Sequence, residues 1–155
     1  MTKVNPQFAK KMSQVESALD VRYCFGCSAC VAECPAALRF KEFNPREIVI
    51  STLLGVAENL IEADSVIWQC ATCYKCYERC PQNVHPVDVI TALKNISFAA
   101  GNAPEGVSSL HKAVLENGSI IAPSEAIQKR RAKLGLPAFS HATLHVPEAS
   151  GKGGE

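Results

Sequence analysis

The sequence lacks a long apolar run, an excess of charge of either sign and an apolar leader at its start. Its 155 residues include 16 Lys and Arg against 15 Asp and Glu, and this balance gives no reason to expect binding to nucleic acid or to an anionic membrane surface. No stretch approaches the roughly 20 apolar residues of a membrane-spanning helix, and the first residues show no secretory signal. We therefore expect a soluble, cytoplasmic protein whose cysteines stay reduced.

A sustained alternation of apolar and polar residues, which is typical of half-buried strands, is also missing. Apolar residues recur at helical spacing instead, and Asn5-Pro6 and Asn44-Pro45 are typical of an N-cap followed by the first helical residue. The expected fold class is therefore all-α. One helix is predicted within residues 5–23, and two are predicted between Pro45 and about Ala63 with a break at Gly55. Three more are predicted from Pro86 to about Ala100, after Pro104 as far as Gly118, and from Pro123 to Leu134.

All eight cysteines belong to two copies of the pattern C-x2-C-x2-C-x3-C-P, at residues 24–35 and 70–81. This run is typical of bacterial ferredoxins with two 4Fe-4S clusters, in which the fourth cysteine ligates the other cluster. Carried over to this chain, the pattern predicts one cluster held by three cysteines of the first motif and the last of the second, Cys24, Cys27, Cys30 and Cys80. The second cluster is predicted to be held by Cys70, Cys73, Cys76 and Cys34.

Two other interpretations of the cysteines are possible. Structural zinc sites use pairs of ligands separated by a long spacer, whereas four cysteines crowd into each stretch here. Disulfides need an oxidising compartment, for which the sequence gives no sign. A histidine ligand, His85, is also conceivable because histidines replace cysteines in Rieske centres, but all eight ligand positions are already filled. We therefore favour two 4Fe-4S clusters.

Several residues between and beside the ligands are expected to support the clusters. Gly26 would let the backbone approach a cluster closely and turn its N–H groups toward sulfur. Trp68, just before the second motif, is expected to shield a cluster from water. Four cations near the motifs would either offset the negative charge of reduced clusters or simply be solvated at the surface; these are Arg22, Arg39, Lys75 and Arg79.

The residues around the cysteines resemble those of a known family. Residues 22–35 and 67–81, with the continuation His85-Pro86-Val87-Asp88, resemble the iron–sulfur C subunit of heterodisulfide reductase over roughly residues 15–115. The short sequences Ala-Thr-Cys-Tyr and Glu-Arg-Cys-Pro, which include residues beside the cysteines, make this resemblance more specific than cysteine spacing alone. It implies an alpha-helical ferredoxin fold with two 4Fe-4S clusters.

The resemblance also implies a role and partners. In that family, the C subunit passes electrons from the A subunit, which carries a flavin and several clusters, to the B subunit, which reduces the heterodisulfide CoM-S-S-CoB in methanogenesis. Hydrogenase or formate dehydrogenase supplies the electrons, and flavin-based electron bifurcation couples the reaction to ferredoxin reduction. The alternatives are an equivalent relay protein of a non-methanogenic complex and a free two-cluster ferredoxin.

Features of a catalytic site are missing from the sequence. It has no Gly-rich dinucleotide fingerprint after a strand, no cysteine outside the two motifs for nucleophilic disulfide chemistry and no acid–base constellation beside the motifs. We therefore expect a non-catalytic electron-relay component of an oxidoreductase complex, without a small-molecule substrate of its own. The expected domains are an N-terminal helical extension (residues 1–20), a ferredoxin core (21–101), C-terminal helices (102–135) and an irregular tail (136–155).

Overall fold

The computed structural model describes residues 4–12, 15–121 and 124–138, and it divides the chain into two compact units, Met1–Pro104 and Glu105–Glu155. The described residues form helices joined by turns and contain no β-strand, which confirms the all-α prediction. Eight α-helices are present in this part of the chain: α1 Pro6–Met12, α2 Ala29–Ala32, α3 Pro35–Arg39, α4 Pro45–Leu53, α5 Lys75–Arg79, α6 Pro86–Ala99, α7 Glu105–Asn117 and α8 Glu125–Lys133. Three 3₁₀ helices lie between them, at Glu16–Tyr23, Glu58–Ile61 and Val66–Gln69.

The predicted starts of α1 and α4 are confirmed by their caps. Asn5 Oδ1 accepts hydrogen bonds from the N–H groups of the second and third helical residues, at 3.0 and 3.2 Å. Asn44 does the same for α4, at 3.1 and 3.2 Å. The proline that follows each asparagine fills the first helical position, where its missing N–H would have had no helical partner.

Two predicted helices differ from the structure. The segment 5–23 is α1 followed by a 3₁₀ helix, so one continuous helix was the wrong expectation there. The break at Gly55 is confirmed, because Gly55 has a φ of +70° and the bond from Val56 N to Ser51 O closes a Schellman turn after α4. The stretch beyond it is the 3₁₀ helix Glu58–Ile61, a single tight turn that ends before Ala63.

Helix α6 forms the centre of the first unit. It packs against α4, α5 and all three 3₁₀ helices, and Val89, Ile90 and Leu93 are fully buried, as their spacing predicts. Burying each of these side chains contributes about 1.5–3 kcal/mol to the free energy of unfolding. This core fixes the segments that carry both cysteine motifs.

The second unit contains α7 and α8. None of the described side chains of α7 is fully buried within this chain, and Leu110 and Leu115 each keep 46% of their surface exposed. Ser124 caps α8 by accepting the Ile127 N–H at 3.4 Å. The predicted start at Pro123 and most of the predicted tail lie outside the described residues. Over the described ranges of both units, no helix has the length and apolar content needed to cross a membrane.

Candidate metal centre

The two cysteine motifs follow the same backbone path. Each begins where a 3₁₀ helix ends in an extended cysteine, Cys24 or Cys70. Each then has left-handed residues at its third and fifth positions and continues into a short helix, α2 or α5, which carries the third cysteine. The left-handed residues are Gly26 and Ser28 in the first motif, and Thr72 and Tyr74 in the second. Different sequences therefore build one loop shape twice.

Sequence reasoning identified Gly26 alone among these left-handed positions. A Cβ built on Gly26 would meet Ile50 Cδ1 at 3.7 Å, an ordinary contact, while its φ is +74°. Among the protein's own atoms, glycine is therefore favoured at this position by its backbone angle rather than by crowding. Thr72 adopts a φ of +51° without this freedom, which sequence propensity would not have predicted.

The fold brings the eight cysteines to two cavities of similar size. The first encloses about 360 Å³ of space between atoms, counting its open mouth, and its cysteines are Cys24, Cys27, Cys30 and Cys80. The second encloses about 340 Å³, and its cysteines are Cys34, Cys70, Cys73 and Cys76. Each cavity thus combines three cysteines of one motif with the fourth cysteine of the other, and these are the groups that the sequence predicted as ligand sets.

The cysteines differ in exposure in the same way in both motifs. The second cysteine of each, Cys27 or Cys73, is exposed, and the other six are half-buried. Burial, and then the nearby Cys76 thiolate, raise the pKa of Cys30 to about 12. Burial, and then the thiolates of Cys70, Cys34 and Cys73, raise the pKa of Cys76 to about 11. Ionisation of Cys30 and Cys76 is therefore favoured only beside a positive charge, which bound iron would provide.

Backbone N–H groups act on two of the cysteines. The Val84 N–H donates to Cys80 Sγ at an N···S distance of 3.3 Å, and the Val87 N–H lowers the pKa of Cys76. Both valines are buried. Hydrogen bonds to ligand sulfur are among the features that set the reduction potential of an iron–sulfur cluster. The sequence had offered no local sign of either donor.

Arg46 carries a buried hydrogen-bond donor without an acceptor, and this donor tests whether the first cavity fits an iron–sulfur cluster. Arg46 lines this cavity, and its Nε is buried with no hydrogen-bond partner among the described residues. Buried donors in proteins are almost always paired, and the inorganic sulfide of a cluster is a suitable acceptor. The remaining walls are almost wholly apolar, so the four thiols and this guanidinium fit a bound 4Fe-4S cluster.

The other residues singled out from the sequence lie near the cavities in different ways. Trp68 lines neither cavity in the described structure. Its ring lies 5.7 Å from Lys94 Nζ, which also donates to the Cys70 carbonyl at 3.0 Å.

Lys75 lines the second cavity. Arg79 pairs with Glu33 at 2.6 Å, so its charge is largely offset. His85 stacks on Tyr77 and lines neither cavity.

Comparison with known proteins identifies the family. The family model described as a 4Fe-4S dicluster domain matches residues 20–84. The C subunit of the "Ferredoxin:CoB-CoM heterodisulfide reductase" of Methanosarcina mazei is 31% identical over 133 residues, which cover 86% of this chain and 81% of that protein. This chain belongs to the family of heterodisulfide reductase C subunits.

Other C subunits support this membership. The iron–sulfur C subunit of the "CoB--CoM heterodisulfide reductase" of Methanopyrus kandleri is 29% identical over 153 residues, which cover 94% of this chain and 79% of the relative. An iron–sulfur C subunit of the same reductase from Methanocaldococcus jannaschii is 35% identical over 120 residues, covering 77% of this chain and 63% of that relative. As a member of this family with a dicluster domain, the chain has two 4Fe-4S clusters as cofactors, and this excludes the zinc and disulfide interpretations.

Proposed function

We propose that this chain relays electrons through its two 4Fe-4S clusters from a flavin-bearing A subunit to a B subunit that reduces the heterodisulfide CoM-S-S-CoB. The observation that carries the proposal is the pair of similar four-cysteine cavities, each with one exposed cysteine. A relay needs an entry and an exit for electrons, and two exposed cluster edges meet that need.

We assign the cluster ligands as the sequence predicted. The first cluster is held by Cys24, Cys27, Cys30 and Cys80, and the second by Cys34, Cys70, Cys73 and Cys76. Support comes from the cavity linings, which contain these two sets. The exchange of the fourth cysteines would tie the two motifs together and hold the clusters side by side.

The arrangement of the cysteines suggests a path for the electrons. Cys27 and Cys73 are exposed, so each gives its cluster an edge that a partner protein can approach. The inner cysteines Cys30 and Cys76 are close enough for the charge of one to raise the pKa of the other. We therefore infer a route from one exposed edge, through the two clusters in turn, to the other exposed edge.

The bound clusters supply one-electron redox chemistry, and the protein controls their surroundings. Apolar walls limit the access of water to both cavities, while the N–H groups of Val84 and Val87 offset negative charge on ligand sulfurs. We propose that the chain has no catalytic site of its own and binds no substrate. We assign the relay core to residues 21–101, between an extension (1–20) and the C-terminal helices (102–135) and tail (136–155).

The names of the relatives suggest the host complex. A Methanothermobacter marburgensis relative is named as part of an "H(2):CoB-CoM heterodisulfide,ferredoxin reductase", and a Methanococcus maripaludis relative is named with H(2)/formate. By analogy, we propose a cytoplasmic complex in which hydrogenase or formate dehydrogenase supplies electrons and flavin-based bifurcation divides them. The A and B subunits of heterodisulfide reductase are the proposed direct partners.

Electron transfer in a reconstituted system tests this function. The chain is purified anaerobically, reduced by an artificial donor and mixed with CoM-S-S-CoB, either alone or with the B subunit. We expect the clusters to stay reduced with the heterodisulfide alone and to reoxidise when the B subunit is added. Heterodisulfide reduction by the isolated chain would contradict the non-catalytic relay, and failure of the B subunit to reoxidise it would contradict the proposed partner.

A further inference from the structure

The face of α6 that borders the second cavity continues to a lysine. Val87 and Ile90 line that cavity, and Lys94 follows Ile90 by four residues, so the three residues share one face of the helix. Leu93, next to Lys94 in the chain, is fully buried, which fixes the backbone of α6 at this point. Lys94 itself is half-buried and does not line the cavity. The lysine is therefore held beside the second cavity, at the end of its α6 wall.

Two contacts hold the Lys94 ammonium at the start of the second cysteine motif. Its Nζ donates a hydrogen bond to the Cys70 carbonyl at 3.0 Å and lies 5.7 Å from the centroid of the Trp68 ring. Trp68 belongs to the 3₁₀ helix Val66–Gln69, which packs against α6. Because the face of an aromatic ring attracts a cation, the ring and the carbonyl together place the ammonium next to a proposed cluster ligand.

The charge of Lys94 is not offset by a carboxylate within the part of the chain that the structure describes. Arg79 pairs with Glu33, and Lys112 pairs with Glu116. The contacts of the Lys94 ammonium are instead a neutral carbonyl and a neutral ring. A half-buried charge is also screened less by water and salt than an exposed one. The positive charge of Lys94 can therefore act on its surroundings, which include the second cavity.

We propose that Lys94, held by Trp68 and the Cys70 carbonyl, raises the reduction potential of the second cluster and leaves that of the first nearly unchanged. The inference rests on the proposed ligand sets, in which Cys70 belongs to the second cluster. A reduced cluster is more negative than an oxidised one, so a positive charge nearby favours reduction. Lys94 thus makes the second cluster a better electron acceptor than its cysteines and apolar walls alone would make it.

Redox titration of Lys94→Met in the cluster-loaded chain, followed by electron paramagnetic resonance, tests the inference. We expect the ratio of reduced to oxidised second cluster at a fixed applied potential to fall several-fold and at most about tenfold, which corresponds to about 59 mV for a one-electron couple. Lys94→Arg keeps the charge and should stay close to the native chain. Cys70→Ser, which should lose the second cluster, assigns the two signals.

A second variant and a control separate the charge from the hydrogen bond. The Lys94→Gln amide can still donate to a carbonyl but carries no charge, so the second potential should fall as it does in Lys94→Met. Lys112→Met makes the same change at an exposed lysine that pairs with Glu116, and neither potential should change. A native second potential in Lys94→Met or Lys94→Gln, or equal falls in both clusters, would overturn the inference.

Iron and sulfide analysis separates this inference from the proposed function. A native chain without two clusters would overturn both proposals. A fall of the second potential alone in Lys94→Met and Lys94→Gln would support the role of Lys94 even if the chain failed to pass electrons to the B subunit. In that case the relay proposal alone would fail.

Discussion

Cys34 and Cys80 are the residues that cross between the two motifs. Cys34 lies in the cavity that contains Cys70, Cys73 and Cys76, so Cys34→Ser should damage the second cluster and spare the first. The change should be visible as loss of one cluster's electron paramagnetic resonance signal, with up to half of the iron lost. Cys80→Ser is the matched variant and should remove the other signal. If each variant instead removed the cluster of its own motif, the exchanged ligand sets would be wrong.

Arg46 is the cation that lines the first cavity, and its guanidinium also lies 3.8 Å from the Glu47 carboxylate. Its Nε is buried without a partner among the described residues, and a nearby positive charge favours the more negative, reduced state of a cluster. We expect Arg46→Gln to lower the first cluster's potential and leave the second nearly unchanged, as measured by redox titration. Lys75→Gln is the control, because Lys75 lines the second cavity but is exposed, and its effect should be smaller. Equal shifts in both clusters would contradict this role.

Individual residues also show which features could be predicted from the sequence and which could not. The grouping of the cysteines in the two cavities was predictable because cysteine spacing reflects the shape of the group to be bound. The roles of Arg46 and Val84 were not, because a buried unpaired Nε and an N–H aimed at sulfur depend on how distant segments pack. Trp68 was predicted as a cluster shield from its position in sequence, but its ring lies beside Lys94.

The cysteine loops are the elements in which backbone conformation matters most. Gly26 has room for a Cβ, yet its φ is +74°, so Gly26→Ala should lower the free energy of unfolding by about 1–2 kcal/mol through backbone strain alone. Thr72 occupies the equivalent position in the second loop with a φ of +51°. Thr72→Gly should be neutral or stabilising, since it relieves that strain at the cost of greater freedom in the unfolded chain.

Chemical denaturation of the cluster-loaded chain, with cluster absorbance and helical circular dichroism as probes, measures both effects. Opposite behaviour, a tolerated Gly26→Ala and a destabilising Thr72→Gly, would mean that side-chain contacts rather than backbone angles govern these loops. The equivalence of the two loops makes each variant the control for the other.

Helices were predictable where their signals are local. The Asn-Pro starts of α1 and α4, and the extent of α6, depend on capping and periodicity within a few residues. The 3₁₀ helices were missed because apolar residues at three-residue spacing fit both helix types. The matching loop shapes were also missed, since Thr72 and Tyr74 have no intrinsic preference for the left-handed region.

At the scale of the whole molecule, both cavities lie within the first compact unit. Their lining residues fall between Cys24 and Ile90, and that unit extends to Pro104. A chain ending after Pro104 should therefore fold and keep both clusters. Iron and sulfide analysis should give the same content per chain as the full-length protein, and the spectra of the reduced clusters should be unchanged.

A shorter truncation provides the control for that experiment. A chain ending before Pro86 lacks α6 and with it Val89, Ile90 and Leu93, the buried centre of the first unit, so it should not retain iron. Loss of a cluster from the chain ending at Pro104 would show that the second unit, Glu105–Glu155, contributes to the centre.

The crossing of the fourth cysteines has a consequence for how the protein is made. With the proposed ligands, the first cluster cannot be completed until Cys80 has left the ribosome, long after Cys24, Cys27 and Cys30 have emerged. The second cluster draws on Cys34 but must wait for Cys70, Cys73 and Cys76. Neither cluster can then mature on the nascent N-terminal half. Both centres can therefore be completed only after most of the first unit has been synthesised.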